Sequence, residues 1–134
     1  MVGLVRAFGL HRPAETPCAV PIPLGEAHAL MDLAEDGPLS HGELAARLKL
    51  QKSTVSRLVR QLEKRNWVAR EVSREDNRVI LVRLTRKGLA AAKRLAFARQ
   101  NKFESLLAAI PGAQRNLVLN ALAILIRALE KKPR

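Results

Sequence analysis

Residues 44–65 constrain this chain more than any other stretch, because they carry two helical patterns separated by only a few residues. Leu44, Leu48 and Leu50 fit the end of one helix and a tight turn. Val55, Leu58, Val59 and Leu62 then recur at helical spacing and give a second helix a single apolar stripe. Burying that stripe fixes the rotation of the helix. The face left to solvent carries Lys52, Ser53, Thr54, Ser56, Arg57 and Arg60, short hydroxyls and long cations with hardly any carboxylate. Hydroxyls and the amides at a helix N-terminus bond phosphate, and an arginine reaches a guanine edge in the major groove. The bland alternative is an ordinary solvated helix surface.

Charge favours the first reading. The chain has 134 residues, about one domain, and a formal net charge of +12. From Arg47 to Arg94 there are 15 Lys or Arg against 4 acidic residues, so nearly all the excess lies in the middle third. That distribution points to one basic surface for a polyanion, double-stranded DNA, and away from a uniformly basic protein. A nonspecific architectural nucleic-acid-binding protein is the alternative that charge alone permits. Aromatics make up 3% of the chain, with no Tyr and one Trp, which disfavours single-strand stacking. There is no apolar run of membrane-spanning length and no signal-peptide core, so no membrane partner is expected. Cys18 is the lone cysteine, which excludes an intramolecular disulfide and makes the cytoplasm the expected address.

Around the central pair the chain reads in order. Residues 1–10 suit a short helix, and residues 11–23, with Pro13, Pro17, Pro21 and Pro23, an extended connection. A helix is predicted over residues 24–36, buried through Ala27, Leu30, Met31 and Ala34, and stopped by Gly37-Pro38. Ser40 and Glu43 form a capping box that opens the first helix of the pair. After Trp67 the period changes. Residues 67–72 and 79–84 read as strands joined by the polar turn 73–78, which carries Arg74, Asp76 and Arg78. Two strands and a basic loop directly after such a helix make a wing. Thr85 caps an alanine-rich helix reaching Ile110, in which Gly88 signals close packing. Pro111-Gly112 breaks the chain before a last helix, residues 113–131. Leu117, Ala121, Ile124 and Ala128 form one stripe on it, and Val118, Leu122, Leu125 and Leu129 another. One small domain offers one core, so the second stripe is expected to meet another chain, in a homodimer whose two-fold axis matches a palindromic site.

The same residues resemble a known family. The strings Gly37-Pro38-Leu39-Ser40, Gly42-Glu43-Leu44-Ala45, Lys52-Ser53-Thr54-Val55-Ser56-Arg57-Leu58-Val59 and Leu62-Glu63-Lys64-Arg65 are similar to those of MarR (multiple-antibiotic-resistance regulator) proteins. So are Asp76-Asn77-Arg78 in the wing and Leu84-Thr85-Arg86-Lys87-Gly88 after it. The likeness is strong over about residues 23–95. It implies a mainly α fold with a small two- to three-stranded antiparallel wing, a winged helix-turn-helix with N- and C-terminal dimerisation helices. On that pattern the chain is a single domain, residues 24–88 being the DNA-binding part and residues 1–22 and 89–131 the dimerisation part. The resemblance implies a sequence-specific dimeric transcription regulator, often a repressor, and often one released from DNA by a small-molecule effector. It also implies that Asp76 holds Arg78 for the minor groove, where narrow A·T-rich DNA attracts a wing arginine. Two departures stand out. Only residues 1–10 are available for a first helix that is commonly longer, and Gln51 occupies the cap usually held by Ser, Thr or Asp.

Other residues carry weaker alternatives. Arg60 and Arg74 are phosphate contacts or free surface charges, and Trp67 packs the hinge between helix and wing. Some relatives of this kind sense hydroperoxides through a cysteine near the first helix, within a cluster of tyrosines. Cys18 raises a thiol-based redox sensor, but no tyrosine is present and an inert loop cysteine is the favoured reading. His11, His28 and His41 lack metal-ligand spacing, so no metal and no other cofactor is expected. His11 and His28 are weak candidates for lining an effector pocket. No phosphate-binding glycine loop, nucleophile elbow or paired catalytic carboxylates occur, and no catalytic residue is expected.

Overall fold

Six helices and a three-stranded sheet make up the computed structural model, which describes residues 1–131. They fall into two compact units, residues 1–99 and the remainder from Gln100 onward. The first unit begins with α1 (Val2–Phe8), closed by Gly9 in the left-handed conformation at φ 88°. The proline-rich segment that follows avoids helix, but it is not the extended connection its composition suggests. It folds into successive turns, with Thr16 buried and its Oγ1 accepting the Val20 N–H at 3.2 Å. Those turns deliver Ile22, 4% exposed, into the core.

The next helix, α2 (Leu24–Asp36), buries Ala27, Ala29, Leu30 and Leu33, together with Glu26. Its inner arc is therefore rotated from the one predicted: Met31 is half-buried and Ala34 exposed. Ala27 and Ala34 lie on one side of the helix and Ala29 on nearly the opposite side, so periodicity has little to choose by and packing against several elements decides. Burial raises the Glu26 carboxyl above its ordinary 4.5, and the Arg65 guanidinium, 3.3 Å away, pulls it back. Gly37 ends α2 at φ 81°.

Strand β1 (Leu39–Ser40) leads directly into α3 (His41–Leu48). Ser40 Oγ accepts the Glu43 N–H at 3.2 Å, and the Glu43 carboxylate accepts the Ser40 N–H at 2.7 Å. This is the predicted capping box, and its hydrogen bonds hold the Glu43 carboxyl below its ordinary value. Lys49, left-handed at φ 53°, turns the chain into α4 (Lys52–Lys64). Strands β2 (Val68–Val72) and β3 (Ile80–Leu84) follow as an antiparallel pair, and the sheet order is β1-β3-β2.

The helix α5 (Arg86–Ala109) opens where Thr85 Oγ1 accepts the Gly88 N–H at 3.0 Å and donates to the Asn66 carbonyl at 2.6 Å. Gly88 has a steric reason: a Cβ there would stand 1.8 Å from the Trp67 carbonyl oxygen. Leu30, Leu44, Val55, Val59, Leu62 and Val82 are fully buried and form the centre of the core, to which α2, α3, α4, the sheet and the start of α5 all contribute.

In the second unit, Pro111 precedes α6 (Gly112–Glu130), and no residue of that helix is buried. One of its apolar stripes was expected to face the chain's own core. Within the second unit Leu117 is 70% exposed, Ile124 62% and Leu129 76%, because the end of α5 and one further helix cannot enclose a core of their own. Among the described residues no helix is long and apolar enough to cross a membrane.

Candidate nucleic-acid interface

The rotation of α4 is set by four side chains. Val55, Val59 and Leu62 are fully buried and Leu58 is 8% exposed. That stripe turns Lys52, Ser53, Arg57 and Arg60 outward, with half-buried Thr54 and Ser56 on its flanks. Gln51 holds the N-cap position through backbone alone, its carbonyl accepting the Val55 N–H at 3.1 Å. No side chain caps the first turn, so its N–H groups keep the partial positive charge of a helix N-terminus facing the same way as the cations.

The wing is an antiparallel hairpin with a tip closed by its own hydrogen bonds. Val68 pairs with Leu84, Arg70 with Val82 and Val72 with Ile80, all on one face of the hairpin. At its tip Ser73 Oγ accepts from the Glu75 and Asp76 N–H groups at 3.3 and 3.4 Å. Asp76 Oδ1 accepts the backbone N–H of Arg78 at 2.9 Å, and the Asp76 carbonyl accepts from Val79 at 2.9 Å. Asp76 thus shapes the backbone that presents Arg78. It makes no ion pair with the Arg78 guanidinium. Arg74, Asp76 and Arg78 are all exposed.

Some of the cations are neutralised within the chain. Arg47 pairs with Asp36, Arg65 with Glu26, Arg70 with Glu63 and Arg83 with Glu71. Lys52, Arg57, Arg60, Arg74 and Arg78 pair with no carboxylate among the described residues. These five lie on α4 and the wing tip; Lys49 and the α5 cations Arg86, Lys87, Lys93 and Arg94 likewise pair with no carboxylate among the described residues. Such a surface stays poorly neutralised until an external polyanion meets it.

Sequence reasoning missed the residues that join helix to wing. Arg70 donates from Nε to Glu63 Oε1 at 2.7 Å and from Nη2 to Oε2 at 3.1 Å. His41 lies beside this pair: burial lowers its pKa below the ordinary 6.5, nearby Arg70 lowers it further, and Glu63 opposes them. Behind them, the Arg65 guanidinium sits 4.9 Å over the Trp67 ring, which packs against the core at the hinge. A seven-residue spacing that crosses from helix to strand has no periodic signature.

The remaining candidates lie elsewhere. His11 and His28 are exposed and Cys18 is half-buried in the turns before α2. A cavity of about 750 Å³ lies between the wing and the start of α3, lined by Pro38, Glu43, Glu71, Ser73, Val79 and Leu81 among others. An apolar one of about 430 Å³ is walled by Leu33, Ala34, Leu84 and Leu89, and another of about 240 Å³ by Met31, Ala34, Ala92 and Ala96. None of the three is lined by His11 or His28. Among the described residues no cluster of His, Cys, Asp and Glu is placed to hold a metal ion.

Comparison with known proteins gives a consistent answer. The model of the MarR family matches residues 22–80. An uncharacterized HTH-type transcriptional regulator of Mycobacterium leprae is 26% identical over 113 residues, which cover 84% of this chain and 79% of the relative. The structure of a MarR family protein from Bacillus stearothermophilus is 28% identical, with a TM-score of 0.67 over 84% of this chain and 78% of that one. Streptococcus pneumoniae FabT, solved in complex with DNA, shares the fold at 19% identity, with a TM-score of 0.76 over 96% of this chain and 87% of its own.

Proposed function

We propose that this chain, whose residues 22–80 match the model of the MarR family, is a sequence-specific homodimeric regulator, acting as a repressor on a palindromic operator. The helix α4 enters the major groove with Lys52, Ser53, Thr54, Ser56, Arg57 and Arg60, and the wing carries Arg78 to the flanking minor groove. Arg57 is the base reader. Arg60 and Arg74 bond phosphate, and Asp76 shapes the loop that aims Arg78. The observation that carries this reading is that the buried stripe of α4 turns Lys52, Arg57 and Arg60 outward, and that these and the wing-tip Arg74 and Arg78 are exposed and pair with no carboxylate among the described residues.

Residues 24–88 form the DNA-binding part in this account, and residues 1–22 and 89–131 the dimerisation part. The exposed Leu117, Ile124 and Leu129 of α6 support that assignment, since apolar side chains at that level of exposure are typical of an unpartnered interface. FabT, a structural neighbour, is itself solved on DNA. A small-molecule effector that releases DNA, a cytoplasmic location and the absence of catalysis complete the reading.

Selection of bound duplexes from a random pool at about physiological salt, where nonspecific phosphate contacts are weakened, is the test. Enrichment of an inverted repeat is the expected result. Charge-driven binding with no enriched motif overturns the regulator in favour of an architectural protein.

A further inference from the structure

The wing has a buried base, a self-bonded tip and, between them, one rung whose arginine reaches back to α4. On the face turned to the helices, Val68 is 4% exposed and Val82 fully buried, whereas Val72 and Ile80, one rung further out, are 53% and 42% exposed. Beyond the Arg70–Val82 rung the hairpin therefore gets little support from the core. The tip is closed by its own hydrogen bonds through Ser73 and Asp76, so it moves with the strands that carry it. At the intermediate rung Arg70 forks onto the Glu63 carboxylate, one residue from the end of α4. A bidentate guanidinium–carboxylate pair fixes orientation as well as distance, which a single charge contact does not.

We infer that Glu63 and Arg70 are a positioning pair, setting the angle between α4 and the wing so that Arg74 and Arg78 meet flanking DNA while α4 occupies its groove. The pair touches no base and leaves α4 itself untouched. Its loss unlinks wing reading from helix reading. The inference rests on the reading that α4 and the wing bind one duplex. Exposed ion pairs contribute little to global stability, so the effect falls on wing placement rather than on folding.

The test compares wild type, Glu63→Gln and Arg70→Lys on a duplex selected by the wild-type protein, with A·T or G·C flanks and with intact or altered half-sites. Both variants are expected to lose flank discrimination, with an affinity loss on the order of tenfold on A·T flanks, the size of one lost charged groove contact. Half-site discrimination and thermal midpoint stay at the wild-type level, and the swap Glu63→Arg with Arg70→Glu restores flank discrimination. A folded variant that discriminates flanks as the wild type does overturns the inference. Arg70→Lys keeps the charge and loses the bidentate fork, so it serves if Glu63→Gln does not fold. A second measurement needs no DNA: spin labels at Gln61→Cys and Asn77→Cys in a Cys18→Ala background report the helix-to-tip distance. The distribution is expected to broaden in Glu63→Gln, and an unchanged one overturns the inference by itself. A broadened distribution in a protein whose wild type ignores flanks overturns the DNA reading and supports the pair as the wing's angular restraint.

Discussion

Arg57 and Gly88 are the residues on which this account is most exposed to single substitutions. Arg57 stands outward from a helix whose opposite face is buried, and it touches no carboxylate among the described residues. Arg57→Ala is expected to cost about 1–3 kcal/mol of DNA affinity and to relax specificity at one base pair per half-site, with the thermal midpoint unmoved. Binding titrations across half-site variants check this, and an equal loss on every sequence makes Arg57 a phosphate contact. Gly88 lies away from that surface. A Cβ at 1.8 Å from the Trp67 carbonyl oxygen has only backbone to push against, so Gly88→Ala should destabilise the fold by about 3 kcal/mol, at the upper end of overpacking costs. Denaturant unfolding measures it. The sequence already marked Gly88 as a close approach, since a glycine early in an alanine-rich helix has no other evident use. The identity of its neighbour was not legible, because the contact joins a strand entry to a helix start.

At the scale of elements, α3 and α4 were legible for a physical reason: each has one apolar stripe and definite end signals. Ser40 and Glu43 cap α3 as their spacing required, and Ser40→Ala is expected to lower stability by about 1 kcal/mol. The inner arc of α2 and the course of residues 11–23 were less legible. Alanine is small enough to face either way, and prolines forbid helix without specifying turns. The wing's strands followed from their β-branched residues, whereas its restraint by Glu63 did not, since ion pairs across a change of secondary structure leave no period. His41 offers a pH test at this scale. Its folded pKa lies below 6.5, so between the two values the unfolded chain binds the extra proton. Stability therefore rises with pH across that window and is lost as pH falls through it. His41→Gln should flatten this slope just below pH 6.5 in unfolding experiments. A slope unchanged by the substitution removes His41 as its source.

For the whole molecule, the feature that demands explanation is an apolar helix with no buried residue. Two stripes on α6 are visible in the sequence, but what covers them is not, because hydrophobic spacing says that a face is buried and not by what. A two-fold interface counts each substitution twice. Leu117→Glu or Ile124→Glu is therefore expected to weaken dimerisation by about 3 kcal/mol or more, given the usual value of one buried aliphatic side chain. Light scattering across a concentration series reports the mass, and a wild-type protein that stays monomeric throughout removes the homodimer. The dimer matters to function because it sets the spacing of the two α4 helices, and hence of the half-sites. The most direct measurement of the central claim is a single-nucleotide interference footprint on the selected duplex. The account predicts major-groove contacts in two half-sites centred about 10–10.5 base pairs apart, each flanked by minor-groove contacts that vanish in Arg78→Ala. Contacts confined to phosphates, without a fixed register on the duplex, would contradict it.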